Sequence, residues 1–328
     1  MKRFGSGRFL SAVAVIGLTI LLPALASAQF QGHNLKGDNG LLSGSQPPPG
    51  LYTLASYYRY SGDSLRNSNG DEIVLDPQQR SAITATGFFV PIVLYVTKAK
   101  VFGADYGFLV APGFLNKRVE APILSLDDQS NTKLTDTYFQ PVRLGWHRKQ
   151  SDYLAGLGFV APTGDYTFRG DHNSGLGMWS FELFAGATFF FDEKKTWHFA
   201  TTAFYETHTN KKDTQIRVGD ILTLEGGLGR SFLGGGAQLG VAYYAQWKVT
   251  SDDLPILPPD FPRPDNLLLG KHRVYAAGPE LTLPIATKAK LYGFANVRYL
   301  WEFGARTTLQ GYTLVATLTV PIPSVKLK

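Results

Sequence analysis

The chain has 328 residues, 18% charged and 13% aromatic, with 35 glycines and no cysteine. That length suits one large all-β barrel or two ordinary domains, and abundant Gly, Tyr, Phe and Thr favours strands over helices. The missing cysteines exclude disulfides, Cys-ligated zinc, Fe–S clusters, thiol catalysis and a lipoprotein anchor. The formal net charge of +6 argues little for nucleic acid, because part of it sits in Lys2, Arg3 and Arg8 and the rest is scattered.

Those three basic residues precede an apolar run, Phe9 to Leu25, and then Ala26-Ser27-Ala28. A basic region, an apolar core and a small-x-small site predict a secretory signal peptide over residues 1–28. Residues 29–50 are rich in Gly, Asn, Ser and Pro and lack periodicity. They read as an irregular N-terminal segment, more simply a loose tail on the periplasmic side than a plug. Beyond the signal no run reaches the ~20 apolar residues of a membrane helix. An exported chain of this kind is either soluble or a membrane β-barrel, since only helices and closed barrels satisfy their backbone in lipid.

From Leu51 onward the period is two, the strand period. Expected strands cover 51–60, 81–96, 101–114, 135–147, 153–161, 179–191, 196–206, 219–232, 237–249, 272–283, 290–303 and 306–322. In the sixth, Trp179, Phe181, Leu183, Ala185, Ala187, Phe189 and Phe191 oppose Ser180, Glu182, Gly186 and Thr188. In the ninth, Leu239, Val241, Tyr243, Ala245, Trp247 and Val249 oppose Gln238, Gly240, Tyr244, Gln246 and Lys248. In the first, Tyr52, Leu54, Tyr58 and Tyr60 read as the apolar face, with Thr53 and Arg59 opposite. An apolar face with aromatic ends, backed by a charged face, suits lipid outside and a polar lumen inside. Connections alternate long and short, and the short turns follow even-numbered strands. Residues 51–328 therefore predict an all-β, transmembrane, antiparallel up-and-down barrel of about twelve strands in the bacterial outer membrane.

The face assigned to the lumen carries Arg59, Asp105, Arg143, His147, Glu182, Glu206, Glu225, Gln246, Lys248, Glu280, Asn296, Arg298 and Glu302. Tyr244 and Phe294, with Phe184, Phe190, Phe204 and Tyr292, join them. Such a lining either sets the field of a pore or fills a narrow barrel with bracing ion pairs. Its aromatic share suits a hydrophobic solute. Enzyme signatures are thin. The six histidines lack close metal-ligand spacing, and neither a Gly-x-Ser-x-Gly elbow nor a P-loop occurs.

Four motifs recur in order: Pro-Pro-Pro-Gly-x-Tyr (47–52), Pro-Thr-Gly-x-Tyr (162–166), Asn-x-Gly-x-Gly-x-Trp (173–179), and Asp-Thr followed by Gly-Asp (213–220). With the signal peptide they resemble the SphA-like, phenol-degradation meta-pathway family of outer-membrane proteins, across most of the mature chain. The resemblance implies passive, porin-like uptake of a small hydrophobic or aromatic compound. Expected partners are outer-membrane lipid, that solute and the barrel-assembly machinery, with no nucleic acid, cofactor or metal. One departure is the ending Pro-Ser-Val-Lys-Leu-Lys, where such barrels commonly carry an aromatic residue. The competing readings are a lipid hydrolase using Ser180 and His198, a soluble periplasmic binding barrel, and a purely structural wall protein.

Overall fold

The computed structural model describes residues 31–73, 82–121, 126–129, 131–168, 173–255, 271–288 and 290–322. The expected signal peptide and the last six residues lie outside these. The strands are β1 (Gly50–Arg66), β2 (Ala82–Val101), β3 (Ala104–Ala111), β4 (Phe114–Ala121), β5 (Leu126–Gln129), β6 (Lys133–Leu134), β7 (Thr137–His147) and β8 (Ser151–Ala161). They continue as β9 (Ser180–Phe190), β10 (Trp197–His208), β11 (Ile221–Phe232), β12 (Ala237–Lys248), β13 (Arg273–Ala286), β14 (Leu291–Arg306) and β15 (Thr308–Ile322).

Twelve of them close an antiparallel barrel: β1, β2 and β3, then β7 through β15, with β15 returning to β1. β4 prolongs the line of β3 beyond Pro112-Gly113, still paired with β2. With β5 it extends the wall above the long-loop end. At the other end the turns are tight. The link from β11 to β12 is a single 3-10 turn, in which Gly234 and Gly235 take φ of 65° and 94°. Neither would meet a neighbour through a Cβ, so the backbone conformation, not space, demands glycine there.

The faces divide as the alternation predicts. Leu183 and Val241 are 59% and 54% exposed, whereas Glu182 and Arg298 are 8% and 7%. Outward aromatics gather at two levels: Trp247, Tyr275, Tyr299, Trp301 and Phe303 toward the long loops, and Tyr153, Phe189, Phe191, Trp197 and Phe232 toward the short turns. Two aromatic girdles around an apolar band form the exterior of a membrane barrel. No helix among the described residues is long and apolar enough to cross a membrane.

Two expectations need correction. On β1 the faces are reversed. Tyr58 and Tyr60 point inward, 6% and 8% exposed, and Arg59 points outward, paired with Leu314. The phenol tips decide this. The Tyr58 hydroxyl donates to the Lys36 carbonyl at 3.2 Å, and that of Tyr60 to Glu302 at 3.0 Å. Arg59 lies beside the outer girdle, where a long stem can carry its charge to the headgroups. Secondly, residues 31–49 are no loose tail. They form an irregular plug that climbs the lumen from the short-turn end at Gly50 to the long-loop end at His33.

Candidate functional site

An irregular segment has no ladder to satisfy its main-chain N–H groups, so in a closed lumen the wall must supply acceptors. Three glutamates do so. Glu280 accepts from Leu41 N at 3.0 Å, and Glu225 from Gly37 N at 2.7 Å and Asn39 N at 2.8 Å. Glu206 accepts from His33 N at 2.7 Å and Asn34 N at 3.2 Å. In the other direction, Arg298 donates to the carbonyls of Gly37, at 3.0 Å, and Asp38. Lys36 Nζ meets Glu302 at 2.6 Å and lies 4.5 Å from the Tyr60 ring centroid. Tyr244 donates to the same Glu302 carboxylate at 2.7 Å. Gly227, Gly229 and Gly240 open a shallow pit in the wall for the Leu41 side chain, which is fully buried.

The anchoring is weighted to one side, with single bonds from Tyr58 of β1 and to the Asp105 carbonyl of β3 opposite. The glutamates and Arg298 stand on β10, β11, β13 and β14. Across the lumen, β1 to β4 present Leu54, Phe89, Ile92, Leu94, Leu109 and Leu115. Between this wall and the plug lies a cavity of about 820 Å³. Its lining runs from Gly235, Thr319 and Pro321 at the short-turn end to Tyr166, Asn173 and Lys211 at the long-loop end. Leu35 of the plug packs toward Tyr58, Tyr60 and Leu309. The crevice is thus mainly apolar along β1 to β4 and polar along the plug and the rest of the wall.

The expected lumen residues therefore separate. Glu182, Glu206, Glu280, Arg143, Asn296, Arg298 and Phe294 line the cavity. Glu225, Glu302 and Tyr244 are buried beneath the plug. Asp105 receives Lys100 on its carboxylate and Gln46 on its carbonyl, at the short-turn end. Gln246 bonds Thr223 at 3.1 Å, and Lys248 pairs with Asp252 at 2.7 Å toward the long loops. One expectation fails, and two residues stand at the short-turn rim. Arg59 faces outward, as described. His147 sits on the short-turn rim, 3.2 Å from Asp152. Tyr292 is 46% exposed beside Lys290. The Ser180–His198 pair of the hydrolase reading also fails, because Ser180 pairs with His208 and His198 with Phe190, at opposite ends of β9 and β10.

Sequence reading missed the plug residues, Asp136, Tyr138 and Lys211. Tyr138 donates to Glu182, and Gln140 and Arg143 continue that network. Burial would push the Asp136 carboxyl up. Bonds from His33, Leu176 and Gly164 outweigh it and hold the group below its ordinary value. Lys211, in the loop after β10, is buried and donates to the Leu176 carbonyl at 2.7 Å. Burial lowers its pKa from 10.5 to about 8, with Asp136 and Asp252 opposing the shift.

Comparison with known proteins agrees with this architecture. The sequence model of the family described as "Putative MetA-pathway of phenol degradation" matches residues 62–318. A search of curated proteins gives no significant sequence match. Among solved structures, the COG4313 outer membrane channel of Pseudomonas putida F1 superposes with a TM-score of 0.64 at 13% identity, covering 88% of this chain and 100% of that one. The TodX deltaS2S3 mutant monoaromatic hydrocarbon channel gives 0.37 at 11% identity, over 84% and 91% of the two chains. The beta domain of the Bordetella autotransporter BrkA gives 0.42 at 10%, over 83% and 100%. The first likeness is one of fold, and the other two scores carry no argument.

Proposed function

Because this chain belongs to the phenol-degradation MetA-pathway family, we propose that it is an outer-membrane channel for passive uptake of a small hydrophobic or aromatic compound. One observation carries the reading: the plug is held against the carboxylate-bearing side of the lumen, which leaves an apolar crevice along β1 to β4. A hydrophobic solute exchanges water for Leu54, Phe89, Ile92 and Leu94, gaining roughly 25 cal/mol for each Å² of apolar surface covered. The polar plug face keeps that gain incomplete, so the solute is not trapped. Conduction needs binding strong enough to enter and weak enough to leave. The cavity volume of about 820 Å³ falls within the range of small-molecule sites.

The carboxylates do not form a selectivity ring for bulk ions on this reading. Glu206, Glu225, Glu280 and Glu302 are already occupied by plug donors. The test is uptake of a radiolabelled neutral aromatic by cells lacking the chromosomal copy, with and without the plasmid-borne gene. Faster initial uptake with the gene supports the channel. Equal rates across a panel of aromatic carbon sources oppose it.

A further inference from the structure

At the long-loop end the plug brings His33 against β9 and β10. His33 Nδ1 lies 2.6 Å from Ser180 Oγ, and His208 Nδ1 lies 2.8 Å from the same oxygen. Glu206 Oε1 is 3.8 Å from His33 Nδ1 and 3.7 Å from His208 Nδ1. Two imidazoles and a carboxylate therefore converge, with ligand atoms within 4.8 Å of one another. The other ring nitrogen of His33 meets Asp136 Oδ2 at 2.7 Å. Asp136 is itself held by Gly164 N at 2.9 Å and Leu176 N at 2.7 Å.

The hydrogen bonds of this group can be drawn with both rings neutral. With Nε2–H donated to Asp136, a neutral His33 accepts the Ser180 hydroxyl hydrogen at Nδ1. Ser180 Oγ then accepts from His208 Nδ1–H. That leaves His208 Nε2 buried without a hydrogen-bond partner. The chain Asp136–His33–Ser180 has the connectivity of a nucleophilic triad, but Ser180 is 1% exposed and its hydroxyl is already engaged by both imidazoles.

We propose that His33, Glu206 and His208 bind a divalent transition-metal ion of the zinc type, with Ser180 Oγ or a water completing a tetrahedron. Zinc–nitrogen and zinc–oxygen bonds of about 2.0–2.2 Å place tetrahedral ligands roughly 3.3 Å apart. The separations given above, from 2.6 to 3.8 Å, bracket that value. Imidazole-rich sets select zinc, copper or nickel over magnesium and calcium. The Asp136 carboxylate behind His33 fixes the ring's tautomer and orientation, as outer carboxylates do for metal-bound histidines. His33 belongs to the plug and its co-ligands to the wall. The ion thus ties the His33 end of the plug to the barrel.

The test uses the folded barrel in detergent, stripped with a chelator and titrated with Co2+. The expected result is the visible absorption of tetrahedral cobalt, saturating at one ion per chain and displaced by Zn2+. H208A and E206Q should each weaken binding by more than about 100-fold. R59Q, on the outer face of β1, should leave it unchanged. Heat-modifiable migration on gels verifies that each variant is folded, and H33A replaces any that is not. Absence of stoichiometric cobalt binding, or equal binding by wild type and H208A, overturns the proposal. The readout involves no solute flux, so it stands or falls separately from the channel reading.

Discussion

Glu225 of β11 accepts the Gly37 main-chain N–H at 2.7 Å, deep in the lumen. The same carboxylate takes the Asn39 N–H at 2.8 Å and the Asn39 side-chain amide at 3.1 Å. A single wall residue thereby satisfies the middle of a segment that has no secondary structure of its own. E225A leaves buried donors without an acceptor, at about 1–3 kcal/mol each. The expected outcome in planar bilayers is a larger, noisier single-channel conductance, with the barrel still heat-modifiable. E225Q keeps one acceptor oxygen and should lie between.

Pinning the plug distinguishes a crevice from a gate. Ser45 Oγ donates to Asp152 Oδ2 at 2.8 Å, and the chain has no native cysteine. A S45C/D152C pair, oxidised to the disulfide, should leave aromatic uptake within about twofold of the reduced form, because the apolar wall stays free. A flux that stops on oxidation and returns with reductant would mean that the plug must leave.

Lys211 supplies a pH dependence. Its folded pKa of about 8 lies below the ordinary 10.5. Between those values the unfolded chain holds a proton that the folded chain has released. Stability therefore rises with pH across that window and is flat below it. The gain is at most about 3 kcal/mol. Urea unfolding of wild type and K211M in lipid, from neutral pH to about 10, should show wild type gaining on the variant as pH increases.

Arg59 tests the reversed face of β1. Outward placement predicts that R59C, labelled with a fluorophore, is quenched by lipid-borne quenchers and not by aqueous ones introduced through the lumen. R59Q should leave aromatic uptake within about twofold.

The alternation of β7 to β15 was legible because one face there is nearly all apolar and the other carries single charges. Val241 beside Gln246 and Leu183 beside Glu182 leave little choice of side. On β1 the pattern misled. Tyr58 and Tyr60 are as apolar by count as any lipid-facing pair, and only their hydroxyl partners, Lys36 O and Glu302, send them inward. Those partners lie far away in the chain, one in a segment without periodicity. The plug was illegible for the same reason. Its main-chain donors carry no side-chain signature, and their acceptors, Glu206, Glu225 and Glu280, look like an ordinary charged lining. His33 and His208 are likewise far apart in sequence, and only the climb of the plug brings them together.

Leu94 gives the most direct test of the apolar crevice. It is buried on the lumen side of β2, paired with Leu109, and lines the cavity. Initial uptake of a labelled neutral aromatic should be compared in deletion cells carrying wild type or L94D at equal folded abundance. A carboxylate in the apolar strip should lower uptake by about tenfold or more. Unchanged uptake by L94D, alongside wild-type uptake above that of the deletion, would contradict a route along this wall.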